Sequence, residues 1–298
     1  MSRPIVVGVD GLAPSRTAFV SAIALARVLD AEVVMAYASE SPESAVSNWL
    51  PVSTVLGYRE RLEESLASAR IEISELREQF TGRGVEISQS FVSGPADEGI
   101  VTVALKHDAA LVVVGSHGRR GLDRVFLGSV AERVVRSAHC DVLVVRGEPR
   151  FDKPNRILVP VDFSAASKRA LAVAGGLANG GVITLLHCFD TPPLSDGVLI
   201  GKLFQDQKEA LGHELDELAQ PTRDAGVKVE TLALAGYAPG LIAQHANDHD
   251  LIVMGSHGRR GVRRWLLGSV AEKTIRRAPC SVYIARASPS GEPAGGDE

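Results

Sequence analysis

Cysteine is scarce in this 298-residue chain, which carries three. An odd, sparse count argues against a disulfide framework and points to reduced thiols in the cytoplasm. No apolar run approaches the length needed to span a bilayer. The opening residues Met1 to Asp10 meet an acid too soon to supply the core of a signal peptide. Charge of one sign is not in excess either. The formal net charge is −4, which gives no basic surplus for nucleic acid. There is no Gly-x-x-x-x-Gly-Lys-Ser/Thr loop, so the chain is not a P-loop nucleotidase. A Ser-Gly-Gly-x-Asp-Ser pattern, the mark of adenylating pyrophosphatases, is also missing after the first strand.

The chain does contain a repeat. Gly115-Ser-His-Gly118-Arg-Arg-Gly121 returns as Gly255-Ser-His-Gly258-Arg-Arg-Gly261, and both copies run on to Gly-Ser-Val-Ala-Glu. Between residues 115–132 and 255–272, fourteen of eighteen positions are identical. Core positions usually accept any apolar residue of similar size, so identity this local suggests a ligand contact. The apolar fraction of 45% is that of an ordinary globular protein, and each half is long enough to bury its own core.

Each half alternates apolar runs with helical periodicity. Strands are expected at 5–9, 32–38, 86–92, 111–114 and 142–145, and again at 156–161, 182–188, 228–234, 251–254 and 282–285. Helices are expected at 15–29, 53–79, 95–106 and 129–137, and at 165–178, 199–225, 239–245 and 269–276. Strands apolar throughout, separated by helices, imply a parallel sheet covered on both faces. The expected division is a first domain over 1–148, a linker at 149–152, a second domain over 153–286 and a disordered tail over 287–298. Asp10 and Asp162 are 152 residues apart, whereas the glycine motifs are 140 apart. The first half therefore carries extra residues, placed near 39–51 as a longer loop.

The motif is Gly-x-x-Gly, nine residues, then Gly-Ser: Gly115, Gly118, Gly128, Ser129, and again Gly255, Gly258, Gly268, Ser269. Gly115 and Gly255 end an apolar strand, and Gly128 and Gly268 open a helix. Glycine permits positive φ and close backbone approach, and a helix start offers unpaired N–H groups at a positive dipole end. Together they make an anion site, with the Ser hydroxyl as a further donor. The alternative is a plain strand–helix connection, which a second copy at identical spacing disfavours. Asp10 and Asp162 each end a first strand, where a doubly wound sheet binds its ligand. Each can hold a sugar hydroxyl or a base amino group, cap the following helix, or do both.

These residues carry a resemblance: each half resembles a universal stress protein domain of the ATP-binding type. The resemblance implies an α/β fold of two tandem doubly wound domains, each a five-stranded parallel sheet in the order 3-2-1-4-5. It implies ATP as the ligand, with or without Mg2+. Carried over, adenine lies near Ala38 in the first half and Cys188 in the second. Val9 and Asp10, or Val161 and Asp162, approach the nucleoside, and Val114 and Gly115, or Met254 and Gly255, flank the ribose. Gly118, Gly128, Ser129 and Val130 contact phosphates, as do Gly258, Gly268, Ser269 and Val270, with Arg119 and Arg259 as cationic clamps. Domains of this family pair through their last strands, so 142–145 and 282–285 are expected to meet within the chain, with a further homodimer left open.

Other candidates weigh less. His117 and His257 lie in the glycine loops without an accompanying nucleophile or carboxylate pair, which favours a loop-stabilising role or a phosphate-side contact over proton transfer. His245 and His249 have metal-compatible spacing, yet the first half has no second histidine there. Arg259, Arg260, Arg263, Arg264 and Trp265 form a basic cluster that reads better as a loop beside phosphate than as a nucleic-acid surface. Cys140 and Cys280 are read as packing residues. The expected function is an ATP-binding cytoplasmic stress regulator acting on an unknown protein partner. The alternatives are a slow ATP hydrolase or nucleotide-transferring enzyme, and a scaffold holding structural ATP. Strong phosphoryl transfer needs a base, a clamp and metal ligands, and only the clamp is plausible here.

Overall fold

The computed structural model describes residues 3–39, 52–116, 127–147, 151, 155–190, 197–258 and 267–286, with the side chains of 52–62, 65 and 197–204 excepted. Of the loop expected near 39–51 only Ser39, the end of a strand, is described; of the linker only Phe151, which is buried, is described; the tail lies outside the described residues.

The first half runs β1 (Ile5–Gly8), α1 (Ala13–Leu29), β2 (Val33–Ser39), α2 (Val52–Glu78), β3 (Ile87–Ser93), α3 (Ala96–Lys106), β4 (Leu111–Gly115), α4 (Ser129–Ser137) and β5 (Asp141–Val145). The second repeats it as β6 (Arg156–Val161), α5 (Ala165–Leu177), β7 (Val182–Phe189), α6 (Gly197–Asp224), β8 (Lys228–Ala235), α7 (Ala238–His245), β9 (Leu251–Gly255), α8 (Ser269–Arg277) and β10 (Ser281–Ala285). Element types follow the sequence reading, and ends move by one or two residues. Helix α1 starts two residues early because Pro14 falls in its first turn, where the missing N–H costs nothing. Helix α6 runs through Pro221, within its final turn. A short 3-10 turn over Ala246–Asp248 was not anticipated.

The ten strands form one sheet in the order β3-β2-β1-β4-β5-β10-β9-β6-β7-β8. Each half is thus parallel in the order 3-2-1-4-5, and the halves join where β5 and β10 run antiparallel, with Tyr283 opposite Leu143. Successive strand residues serve opposite faces. Val7, Met35, Val113 and Leu143 pack with Phe19 and Leu25 of α1, Ile73 of α2, Leu171 of α5 and Leu215 of α6. Val6, Val34, Val112 and Val142 pack with Val103 of α3, Val134 of α4, Ile242 of α7 and Ile275 of α8. Both layers cross the seam between the halves. Because the seam is antiparallel, the carboxyl ends of the strands face opposite edges of the sheet in the two halves.

Candidate functional site

The winding reverses between β1 and β4, which pair in parallel from Ile5 opposite Leu111 to Val7 opposite Val113. Beyond their carboxyl ends lies a cleft of about 650 Å3, its open mouth included. It brings together Val9, Asp10, Ala38, Val114, Gly115, Gly128, Ser129 and Val130, drawn from β2, β4, α4 and the connections beside them. Gly118 and Arg119 lie outside the described residues, as does Arg259 in the second half.

One wall is the start of α4. Gly128 is its N-cap, with φ −65° and ψ 147°, and among the described residues no side chain caps the helix. The first helical bond runs from the Glu132 N–H to the Gly128 carbonyl at 3.0 Å. The N–H groups of Ser129, Val130 and Ala131 therefore have no partner within the helix and face an uncapped, electropositive end. Helix α8 repeats this, with Gly268 at φ −65° and ψ 149° and Glu272 bonding Gly268 at 2.9 Å. The cradle is chemically suited to phosphate oxygens.

Ser116 and Ser256 shape the connecting loop. Each is buried, and its N–H reaches the last strand of its half, at Val145 (2.9 Å) or Ala285 (3.0 Å). Each carbonyl in turn accepts the N–H of Gly128 (2.7 Å) or Gly268 (2.8 Å), which closes the loop on itself. The sequence reading passed over both serines, although their identity in the two copies marked them. In the second copy His257 Nδ1 lies 2.7 Å from Ser256 Oγ, a bond inside the loop.

None of the described motif glycines has positive φ; at Gly115, Gly255 and Gly258 the requirement is close approach. A Cβ on Gly115 would stand 2.9 Å from the Pro14 carbonyl oxygen, and one on Gly255 2.9 Å from the Ala166 carbonyl carbon. These two positions are small so that α1 and α5 can seat on the strand ends. A Cβ on Gly258 would collide with the Asp162 carboxylate, so the second loop lies directly over that acid.

Asp10 and Asp162 do not cap the helices that follow; each closes the turn leading into its helix, and Ser164 caps α5 by accepting the Ser167 N–H. Asp10 Oδ1 accepts the Leu12 N–H at 3.1 Å, and Asp162 Oδ1 accepts the N–H (3.2 Å) and hydroxyl (2.6 Å) of Ser164. Their backbone N–H groups reach Ser15 Oγ and Ser167 Oγ at 3.2 and 3.4 Å. Positive φ appears one residue later, at Gly11 (79°) and Phe163 (64°), and Phe163 is supported by the His187 ring at 4.8 Å.

Gly8, Ser15, Ala36, Ala96, Ile100 and Ala131 also line the first cleft and escaped the sequence reading. Gly8, Ala36 and Ala38 alternate on one face of β1 and β2, and small residues in otherwise bulky strands were the available signal. In the second half, Cys188, Met254 and Val270 share the apolar layer below the equivalent strand ends. Burial pushes the thiols of Cys140 and Cys188 up to about 11 and that of Cys280 up to about 12, which disfavours the thiolate in all three. His249 donates from Nδ1 to the His245 carbonyl (2.6 Å) and meets Thr184 Oγ1 at 2.8 Å through Nε2. Both ring nitrogens are thereby occupied. Among the described residues no helix is long and apolar enough to cross a membrane.

The universal stress protein family model matches residues 1–146 and again 154–286. A universal stress protein of Methanocaldococcus jannaschii is 39% identical over 149 residues, 48% of this chain and 82% of that protein. One from Mycobacterium tuberculosis is 27% identical over 297 residues, covering 96% of this chain and 97% of its own length. In structure, a universal stress protein of Archaeoglobus fulgidus superposes with a TM-score of 0.65 at 19% identity, over 97% of each chain, which speaks for the shared fold. With two family matches covering nearly its whole length, on a duplicated 3-2-1-4-5 sheet, the chain belongs to the universal stress protein family.

Proposed function

We propose that the chain is a cytoplasmic regulator of the stress response that binds ATP, with or without Mg2+, at one cleft in each half. The halves correspond to domains over 1–148 and 153–286. The single observation that carries this reading is the repeated cradle: an uncapped helix start facing a strand-end crevice, built from residues identical in both copies. In the first cleft, the apolar floor at Ala36 and Ala38 suits a base, and Asp10 stands beside the place for a sugar. The N–H groups of residues 129–131 and the Ser129 hydroxyl suit phosphate oxygens, and residues 269–271 do the same in the second half.

Binding without efficient turnover is the favoured mode. Asp10 and Asp162 each spend an oxygen on the turn that follows their strand, and His257 is bonded within its own loop. Neither arrangement leaves a base poised toward a phosphoryl group. The test is to denature the purified protein, identify the released nucleotide and count it per chain. Adenine nucleotide at up to two per chain is expected. Protein proven nucleotide-free that shows no saturable heat with millimolar ATP would overturn the reading.

A further inference from the structure

Most contacts across the seam come in reciprocal pairs, as a pseudo-twofold axis requires. Arg146 Nη2 donates to the Ile275 carbonyl at 3.1 Å, and Arg286 Nη2 donates to the Val135 carbonyl. Arg136 reaches Glu272 at 3.0 Å, and Arg276 reaches Glu132 at 2.7 Å.

One cluster breaks the symmetry. Asp141 on β5 is only 4% exposed, yet its carboxylate takes both Nη atoms of Arg169 at 2.8 Å. It also accepts the Tyr283 hydroxyl and the Arg286 backbone N–H, each at 2.8 Å. Arg169, Tyr283 and Arg286 all belong to the second half. At the equivalent place, Ser281 on β10 accepts the Arg146 N–H at 3.0 Å and donates to the Arg146 carbonyl at 3.2 Å. Strand ends Gly115 and Gly255 seat on Pro14 and Ala166 respectively, so Thr17 is the counterpart of Arg169. Thr17 spends its hydroxyl on the Ala13 carbonyl at 3.1 Å. Leu143 is the counterpart of Tyr283.

We propose that the Asp141–Arg169–Tyr283 cluster makes the seam accept only unlike halves: a first-half strand edge fits a second-half edge, and neither fits a copy of itself. Two first halves joined through β5 would set Asp141 against Thr17 and Leu143, leaving a buried carboxylate with no cation and no hydroxyl. Two second halves would leave Arg169 and Tyr283 without their acceptor. An uncompensated buried charge is among the costlier defects a folded interface can carry, and a pair of first halves carries it twice, while a pair of second halves twice strands the buried Tyr283 hydroxyl. Burial holds the Tyr283 phenol protonated well above its ordinary range, so its hydroxyl remains a donor. Bidentate Arg–carboxylate geometry adds directional selectivity.

The test uses the full chain with a protease site inserted between Gly147 and Asn155. It is cut after folding, unfolded in urea and refolded as a mixture, and the pairs are weighed by native mass spectrometry. The wild-type mixture is expected to give one-to-one pairs, with like pairs below about one part in a hundred. The same chain carrying Asp141→Ser and Arg169→Thr is expected to release like pairs toward their statistical share. Like pairs at that share in the wild type would overturn the proposal. A cycle on the uncut chain reads the same contact where cut halves fail to refold. The urea midpoint shift of the double variant should then fall well short of the sum of the two single shifts, and strictly additive shifts would equally overturn it.

Discussion

At His249, Nδ1–H donates to the His245 carbonyl and Nε2 meets the Thr184 hydroxyl. Burial, the leading cause, holds its pKa below the ordinary 6.5. The folded form thus binds the proton less readily than the unfolded one. The stability it contributes is fully present above pH 6.5 and is lost as pH falls through the depressed folded value. His249→Gln should therefore flatten the decline of the urea midpoint below that pH while changing it little in alkaline buffer. An unchanged slope would assign the decline to other groups. Gly115→Ala and Gly255→Ala test the close helix seats: each Cβ meets backbone or Cβ atoms near 3 Å, with no flexible tip to yield. Each should cost about 1–3 kcal/mol in chemical denaturation. The sequence marked these glycines as special but not for this reason, because the atoms that crowd them lie about a hundred residues away.

The cradle helices are the elements on which the proposed function turns. Gly128 and Gly268 have φ near −65°, a value any residue can adopt, so valine there adds no backbone strain. On Gly268 the added Cβ would lie 3.3 Å from Ser256 O and His257 Cα, a contact a small loop adjustment relieves. Gly128→Val and Gly268→Val should keep the circular dichroism of the parent, and each should remove one of two ATP sites by calorimetry. A folded double variant still binding two ATP at parent affinity would show that these helix starts are not the sites. Ser129→Ala and Ser269→Ala should weaken binding more mildly, by about 0.5–1.5 kcal/mol, or up to about 3 if the acceptor is charged. At this scale the sequence was most legible. Uniformly apolar runs could only be doubly covered strands, and spacing placed Gly-Ser at a helix start. It did not disclose the loop closure by Ser116 and Ser256, which uses backbone atoms that any residue carries.

For the molecule as a whole, the shared sheet predicts cooperative unfolding. Leu143 is fully buried opposite Tyr283, and both apolar layers cross the seam. Leu143→Ala should cost about 2–5 kcal/mol and lower one shared calorimetric transition. Two separated transitions, with only the first half affected, would contradict this. The ion pairs between α4 and α8 are partly exposed, and Glu132→Gln should shift the midpoint by no more than about 1 kcal/mol. The duplicated motif and the order 3-2-1-4-5 were legible as a pattern. The identity of the seam's polar cluster was not, since Asp141, Arg169 and Tyr283 acquire meaning only when three separate elements converge.

Joining the halves at their last strands also decides which strands stay unpaired on one side. Among the described residues these are β3 and β8, at the two margins of the sheet. Strand β8 carries Lys228 and Glu230, charges that discourage a further strand from adding to it. Strand β3 reads Ile-Ser-Gln-Ser-Phe-Val-Ser with no charge at all, and Phe91 on it stays 37% exposed beneath the Arg70 guanidinium. The chain is thus armoured at its seam and thinly guarded at one rim. Under thermal stress, self-association should begin at the β3 rim, while the central strands are still intact.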